Sequence, residues 1–117
     1  MNRFAAGKTG ENEAAQFLEA SGLEIIARNF RSRRGEIDLV ALEGRTIVFI
    51  EVKSWRRYGI EDLEKSVDAR KIARLVETAK FFLSLNREYN GMAVRFDIVF
   101  IGNDGPRHLA SAFTECV

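Results

Sequence analysis

The sequence predicts one small α/β domain, in which a mixed sheet of four or five strands is flanked by helices in the order α-β-β-β-α-β. Two segments carry apolar residues at the spacing of one helix face, one near the start of the chain and one after its middle. Between and after them lie short segments rich in β-branched residues, which is typical of strands. With 117 residues the whole chain, 1–117, fits a single domain.

The first half of the chain predicts a helix followed by three strands. The helix should run from Lys8 or Thr9 to Ala20, and its apolar stripe places the carboxylate of Glu11 on the inward face, an unusual position for an acid. The strands should pair as an antiparallel meander. They are predicted at residues 23–30, 35–42 and 46–53, with a hairpin at Glu43-Gly44-Arg45.

The second half predicts a helix and a return to the sheet. A long helix should run from Asp62 or Ser66 to about Glu88. It should cross over in the right-handed sense, so that a fourth strand at 94–101 lies parallel to the third. A short fifth strand is expected at 107–109.

Composition excludes several classes of protein. The chain has 46% hydrophobic and 30% charged residues, as ordinary globular proteins do. No apolar segment is long enough to cross a membrane, and the amino end lacks the apolar core of a signal peptide, so we expect a cytoplasmic protein without membrane contact. His108 is the single histidine and Cys116 the single cysteine, which excludes a Cys/His zinc site within one chain. If the chain is an enzyme, its catalytic groups should be carboxylates and lysine.

Two acidic residues are predicted to face each other across the hairpin. If Gly44-Arg45 forms a two-residue turn, the register that follows places Asp38 opposite Glu51, and Glu36 opposite Lys53. Directly opposed residues have Cβ atoms about 4.5–5.5 Å apart, so two carboxylates there would repel each other. A divalent cation, Mg²⁺ (or Mn²⁺), would convert that repulsion into a binding site.

Lys53 completes this constellation. Along a strand it shares a face with Glu51, and its ammonium group could orient an attacking water and offset charge on a phosphate. Glu11 could supply a further oxygen ligand. The chemistry that suits this set is hydrolysis of a phosphodiester. The alternative is a surface arrangement in which the acids are solvated and Glu36 and Lys53 form a cross-strand ion pair.

Basic residues are clustered although the net charge is only +1. Four arginines and no acid lie between residues 28 and 34, and a second cluster, Lys53-Ser-Trp-Arg-Arg-Tyr58, mixes basic and aromatic side chains. Such clusters suit phosphate backbones, although solvated loops would carry the same residues. The candidate phosphate contacts are Arg31, Arg33, Arg34, Arg56 and Arg57.

Three segments together resemble a known family. Gly35-Glu-Ile-Asp-Leu-Val40, Phe49-Ile-Glu-Val-Lys53 and Arg95-Phe-Asp-Ile-Val99 are similar to the YraN family of bacterial proteins. That family belongs to the PD-(D/E)XK superfamily of restriction-endonuclease-like nucleases and is related to archaeal Holliday-junction resolvases. One departure is Ile37, where the superfamily motif has proline.

The resemblance implies a restriction-endonuclease-like αβββαβ core and a nuclease site. It assigns metal binding to Asp38, Glu51 and the first-helix acid Glu11, and water positioning to Lys53; Lys71 matches a basic residue that could reach phosphate. The implied partner is DNA, with branched or damaged DNA as candidates, and a homodimer is suggested by analogy. Two alternatives stay open: a non-catalytic nucleic-acid-binding module, and a protein-interaction scaffold on the same fold.

Overall fold

The computed structural model describes residues 3–54 and 68–113, with side chains described from Gly10 onward. The elements follow the predicted order, including the short fifth strand, and a 3-10 helix is added. They are α1 (Arg3–Ala20), β1 (Glu24–Arg31), β2 (Glu36–Glu43), β3 (Thr46–Ser54), α2 (Ala69–Leu85), the 3-10 helix (Arg87–Tyr89), β4 (Ala93–Gly102) and β5 (Gly105–Phe113).

The five strands form one mixed sheet in the order β1-β2-β3-β4-β5. The first three are antiparallel, β4 is parallel to β3, and β5 returns antiparallel to β4. This confirms the predicted meander and the parallel fourth strand, and the architecture is compatible with a restriction-endonuclease-like αβββαβ core. The last strand is longer than the expected 107–109, because a tight turn at Gly105, with φ of 93°, lets pairing begin at once.

Both helices differ from their predicted bounds. The first begins at Arg3, several residues earlier than expected. The second begins at Ala69, because Asp68 has an extended backbone and its carboxylate accepts the N–H of Lys71 as an N-cap. The predicted starts at Asp62 and Ser66 lie outside the described residues. The helix also ends earlier, at Leu85, and a 3-10 turn replaces its last predicted turn.

Within residues 3–54 and 68–113, one helix covers each face of the sheet. Ala14, Ala15 and Leu18 of α1 pack on one face, where two alanines allow close approach. The other face is covered by larger side chains, and four apolar residues of α2 are buried against it. Those residues are Leu75, Val76, Ala79 and Phe82. Ile47 and Phe49 of β3 belong to this second core, so alternation directs Glu51 and Lys53 toward α2 as well.

A buried ionic cluster fastens β5 to β4. Asp97 is 1% exposed and receives Arg95 Nε and Nη2 at 2.9 Å, while His108 Nε2 lies 2.6 Å from its Oδ2. Ser111 has a φ of 53° at an irregularity in the β4–β5 pairing, and its N–H donates to Asp97 Oδ1 at 2.9 Å. Burial opposes ionisation, but the hydrogen bonds from His108, Arg95 and Ser111 outweigh it and hold the pKa of Asp97 below its usual value.

None of the helices in the described part of the chain is both long and apolar enough to traverse a membrane.

Candidate functional site

The candidate site lies where β2 and β3 separate. The antiparallel pairing of β2 with β3 starts with Glu43 opposite Thr46 and ends with Leu39 opposite Ile50. This is the register that the two-residue turn predicts. Beyond that pair, residues 36 and 37 pair with β1, and residues 51–54 pair with β4. The two central strands therefore fork, and Asp38 and Glu51 lie on the two sides of the fork.

The side chain of Asp38 fills part of this gap. Its Oδ2 accepts the backbone N–H of Val52 at 2.7 Å, in the place where a ladder carbonyl would otherwise be. Strict alternation along β2 would place Asp38 on the face of Val40, with Ile37 on the opposite face. Instead Ile37 and Val40 both pack in the α2 core, so the alternation is interrupted at Asp38 and its carboxylate reaches across toward β3.

Two lysines share the carboxylate of Glu51. Lys53 Nζ lies 3.3 Å and Lys71 Nζ 2.9 Å from Glu51 Oε1, and the Glu51 side chain is only 11% exposed. The expected surface alternative, a Glu36–Lys53 ion pair, is not formed, since Glu36 contacts Arg31 at 3.6 Å. Lys71, which the sequence placed with the phosphate contacts, thus lies within the acid site itself.

Burial and like charges perturb two of these groups. Burial first, and then the negative charge of Glu51, raises the pKa of Asp38 to about 7, with smaller contributions from Glu11 and Glu36. Burial also lowers the pKa of Lys53, followed by the neighbouring Lys71 ammonium. The free site therefore favours a proton, or another positive charge, on Asp38.

An open cavity of about 340 Å³ connects these residues to solvent. Acidic groups of β2 and β3 line it together with basic side chains from the β1–β2 turn and from α2. The lining residues are Arg34, Gly35, Glu36, Asp38, Glu51, Lys71, Arg74 and Leu75. Acids able to hold a cation and bases able to hold a phosphate thus share one cavity.

The β1–β2 turn is tethered to α2. Ser32 Oγ accepts the N–H groups of Arg34 at 3.1 Å and Gly35 at 3.3 Å, and it lies 3.0 Å from Thr78 Oγ1 on the helix. A Cβ at Gly35 would lie 3.3 Å from Thr78 Oγ1, so this approach favours glycine. The tether holds the arginine-bearing turn at the rim of the cavity.

Asn29 is a site residue that the sequence reasoning missed. With its amide nitrogen facing the acids, it donates to Glu11 Oε1 at 2.6 Å and to Glu36 Oε1 at 3.1 Å. It lies in β1 with a φ of 52°. Asparagine in the interior of a predicted strand was the available signal, because asparagine tolerates this backbone region better than most residues.

The carboxylates of the site are suited to a hard cation that takes only some of its ligands from the protein. Among the described residues, no three acidic, histidine or cysteine side chains converge into a full metal-binding group. Mg²⁺ needs only one or two carboxylates, because water and substrate oxygens complete its coordination. Asp38 and Glu51 line one cavity and would supply such a pair, and burial and the charge of Glu51 together raise the pKa of Asp38.

The predicted phosphate contacts are only partly brought to the site. Arg34 lines the cavity, whereas Arg33 is exposed on the same turn. Arg31 is exposed and pairs with Glu36. Arg56 and Arg57 lie outside the described residues. Arg74, which the sequence reasoning did not single out, lines the cavity beside Lys71, one helical turn along α2.

Comparison with known proteins assigns the family. A model described as "Uncharacterised protein family UPF0102" matches residues 10–101. The UPF0102 protein of Persephonella marina is 45% identical over 97% of both chains. That of Treponema pallidum strain Nichols is 44% identical over 95% of this chain and 94% of its own, and that of Pseudomonas savastanoi pv. phaseolicola is 41% identical over 96% and 95%. These matches confirm the predicted resemblance to the YraN-like bacterial family, and the chain belongs to UPF0102.

Proposed function

We propose that this protein is a metal-dependent nuclease that hydrolyses phosphodiester bonds in DNA, with Mg²⁺ or Mn²⁺ as cofactor. One observation carries the proposal: Asp38, with its pKa raised to about 7, shares a cavity with Glu51 and with three basic side chains. A site of this kind suits a divalent cation at the acids and a phosphate at the bases. Strongly perturbed carboxylates in a cleft are also typical of functional sites.

The acids and Lys53 would have separate roles. Asp38 and Glu51 would hold the cation, with Glu11 as a further oxygen donor near them. When bound, the cation would lower the pKa of a coordinated water and offset charge on the phosphate. Lys53, 3.3 Å from Glu51 and 22% exposed, would orient the attacking water and stabilise charge on the phosphoryl oxygens.

The basic rim would hold the backbone of the nucleic acid. Lys71 and Arg74 on α2 and Arg34 on the tethered turn line the same cavity, so they are suited to the phosphates that flank the scissile bond. Arg33 extends the same rim on the outside. Branched or damaged DNA as substrate and a homodimer with two such sites follow from the family resemblance, and a cytoplasmic location follows from the composition. All three are part of the proposal.

A second candidate is a nucleic-acid-binding module that does not cut. One observation favours it: Glu51 already has two ammonium groups within 3.3 Å, so its charge is balanced without a metal. In such a protein the acids would have a structural role, and the basic rim alone would bind phosphate.

A cleavage assay separates the two candidates. Labelled linear duplex, single-stranded and four-way-junction DNA would be incubated with the protein and millimolar Mg²⁺ or Mn²⁺. The wild type and Lys80→Ala, which changes an exposed lysine paired with Glu77 on the outer side of α2, should cut at least one substrate. Lys53→Ala, and the wild type with chelator, should not. Salt-dependent binding without any cutting would favour the binding module, and no binding at all would favour a protein scaffold.

A further inference from the structure

Asn29 has an unusual backbone conformation for a residue within a strand. Its φ of 52° lies in the left-handed region, which few residues other than glycine adopt and asparagine tolerates best. One consequence is a break in alternation. Arg28 contacts Asn12 on α1, Asn29 contacts Glu11 on the same helix, and Phe30 then packs in the α2 core. The left-handed backbone at residue 29 therefore directs the Asn29 amide toward α1 and the fork.

The amide joins two acids from different elements. Glu11 belongs to α1 and Glu36 to the start of β2. In the amide orientation that satisfies the hydrogen bonds, the Asn29 nitrogen lies 2.6 Å from an oxygen of the first and 3.1 Å from an oxygen of the second. Only the nitrogen can face them, because an amide oxygen would meet carboxylate oxygens with no hydrogen between. Both acids act on the pKa of Asp38, so the bridge lies beside the site.

The chemistry of the bridging group matters. An amide has two N–H donors and no charge, so it can hold two carboxylates together without adding a positive charge of its own. A lysine or arginine in its place would neutralise the acids and compete with a cation. An outer residue that orients metal ligands in this way commonly changes metal affinity by about 10–100-fold when it is replaced.

We propose that Asn29 is a positioning residue, whose amide ties Glu11 to Glu36 at the edge of the fork and thereby strengthens the binding of a divalent cation by the site. The cation in this statement rests on the proposed function, whereas the bridge between the two acids does not. Two measurements keep these parts separate.

The first measurement is a double-mutant cycle in metal-free buffer. Asn29→Gly removes the amide and keeps the left-handed backbone, and Glu11→Ala removes its partner. Unfolding of the wild type, both single variants and the double variant is followed with urea. The second substitution should cause a much smaller loss once the first is present. Additive losses would overturn the bridge. Asn103→Gly, in the exposed β4–β5 turn, should be additive with Glu11→Ala and serves as the matched control.

The second measurement is calorimetric titration with Mn²⁺. Asn29→Gly should weaken binding by about 10-fold or more, while Asn103→Gly leaves it unchanged. If the double-mutant cycle shows coupling but Asn29→Gly binds Mn²⁺ as tightly as the wild type, the bridge is purely structural and the positioning role is overturned. If the wild type itself binds no Mn²⁺, the proposed function fails and the positioning role fails with it, while the cycle alone decides whether the bridge exists.

Discussion

The carboxylate of Asp38 accepts the backbone N–H of Val52 at 2.7 Å, across the point where β2 and β3 separate. The fork would otherwise leave that N–H without a partner, which costs about 1–3 kcal/mol for a buried group. The same bond fixes the position of an acid that burial and Glu51 make costly to ionise. The side chain of Asp38 thus provides a hydrogen-bond acceptor at the fork and also places a carboxyl group in the cavity.

The first prediction concerns the stability of Asp38→Asn without metal. Because folding raises the pKa of Asp38 from 3.8 to about 7, the fold loses stability as the pH rises from about 4 to about 7, and the full loss is present above pH 7. Removing the charge should raise the free energy of unfolding at pH 8, by at most about 4 kcal/mol at about 1.4 kcal/mol per pKa unit. The gain should disappear near pH 4, where the acid is protonated when folded. Urea unfolding of the wild type and Asp38→Asn at both pH values measures this gain in the free energy of unfolding. An equal gain at pH 8 and pH 4 would contradict the prediction.

The second prediction concerns the response to metal. A cation that binds Asp38 must displace its proton, so the rise in melting temperature with Mg²⁺ or Mn²⁺ should grow from pH 6 to pH 8. Asp38→Asn should show a small response that does not vary with pH. Thermal unfolding across this range tests both statements. A wild-type response that Asp38→Asn matches at every pH would remove Asp38 from the metal site.

The third prediction separates turnover from affinity. Lys53→Ala should lower turnover by about 100-fold or more, because its ammonium acts mainly as water attacks phosphorus. The affinity for uncut DNA should change far less. Single-turnover kinetics and equilibrium binding give the two quantities, with Lys80→Ala as the matched control. If affinity falls as much as turnover, Lys53 is a binding residue only.

The fourth prediction concerns the basic turn. Replacing Arg33 and Arg34 by alanine should weaken DNA binding on every sequence and flatten the plot of log affinity against log salt by about one or two units. Removing Arg45 and Arg87, which lie in the β2–β3 turn and after α2, should have little effect. Binding measured over a range of salt concentrations tests this. Equal slopes in both double variants would place the nucleic acid elsewhere.

The fifth prediction concerns the buried cluster at β5. Asp97→Asn should cost about 1.5–3 kcal/mol of stability at pH 7, because it weakens the charge-assisted hydrogen bonds of Asp97 while Arg95 keeps its 2.7 Å ion pair with Glu43. Hydrogen bonds hold the pKa of Asp97 below its usual value, so this stabilisation is present above about pH 4 and is lost as the pH falls further. Urea unfolding at pH 7 and pH 3 should show the difference shrinking. Asp104→Asn in the exposed turn is the control, and a similar loss there would contradict the cluster's role.

Local rules of the chain determined much of this protein. The Gly44-Arg45 turn set the β2–β3 register, and alternation along β3 placed Glu51 and Lys53 on one face. The order of helices and strands followed from periodicity in the same way. These features depend on neighbours a few residues apart, so the sequence alone predicts them.

The tertiary structure decided the details of the site. The side-chain alternation of β2 is interrupted at Asp38 because the sheet forks there. Lys71 contacts Glu51 because α2 packs on the face of the sheet toward which Glu51 points. Asn29 came to bridge two acids through one left-handed residue and the docking of α1. These contacts join segments far apart in the chain, and their geometry depends on how the two helices pack against a twisted sheet, which no local pattern specifies.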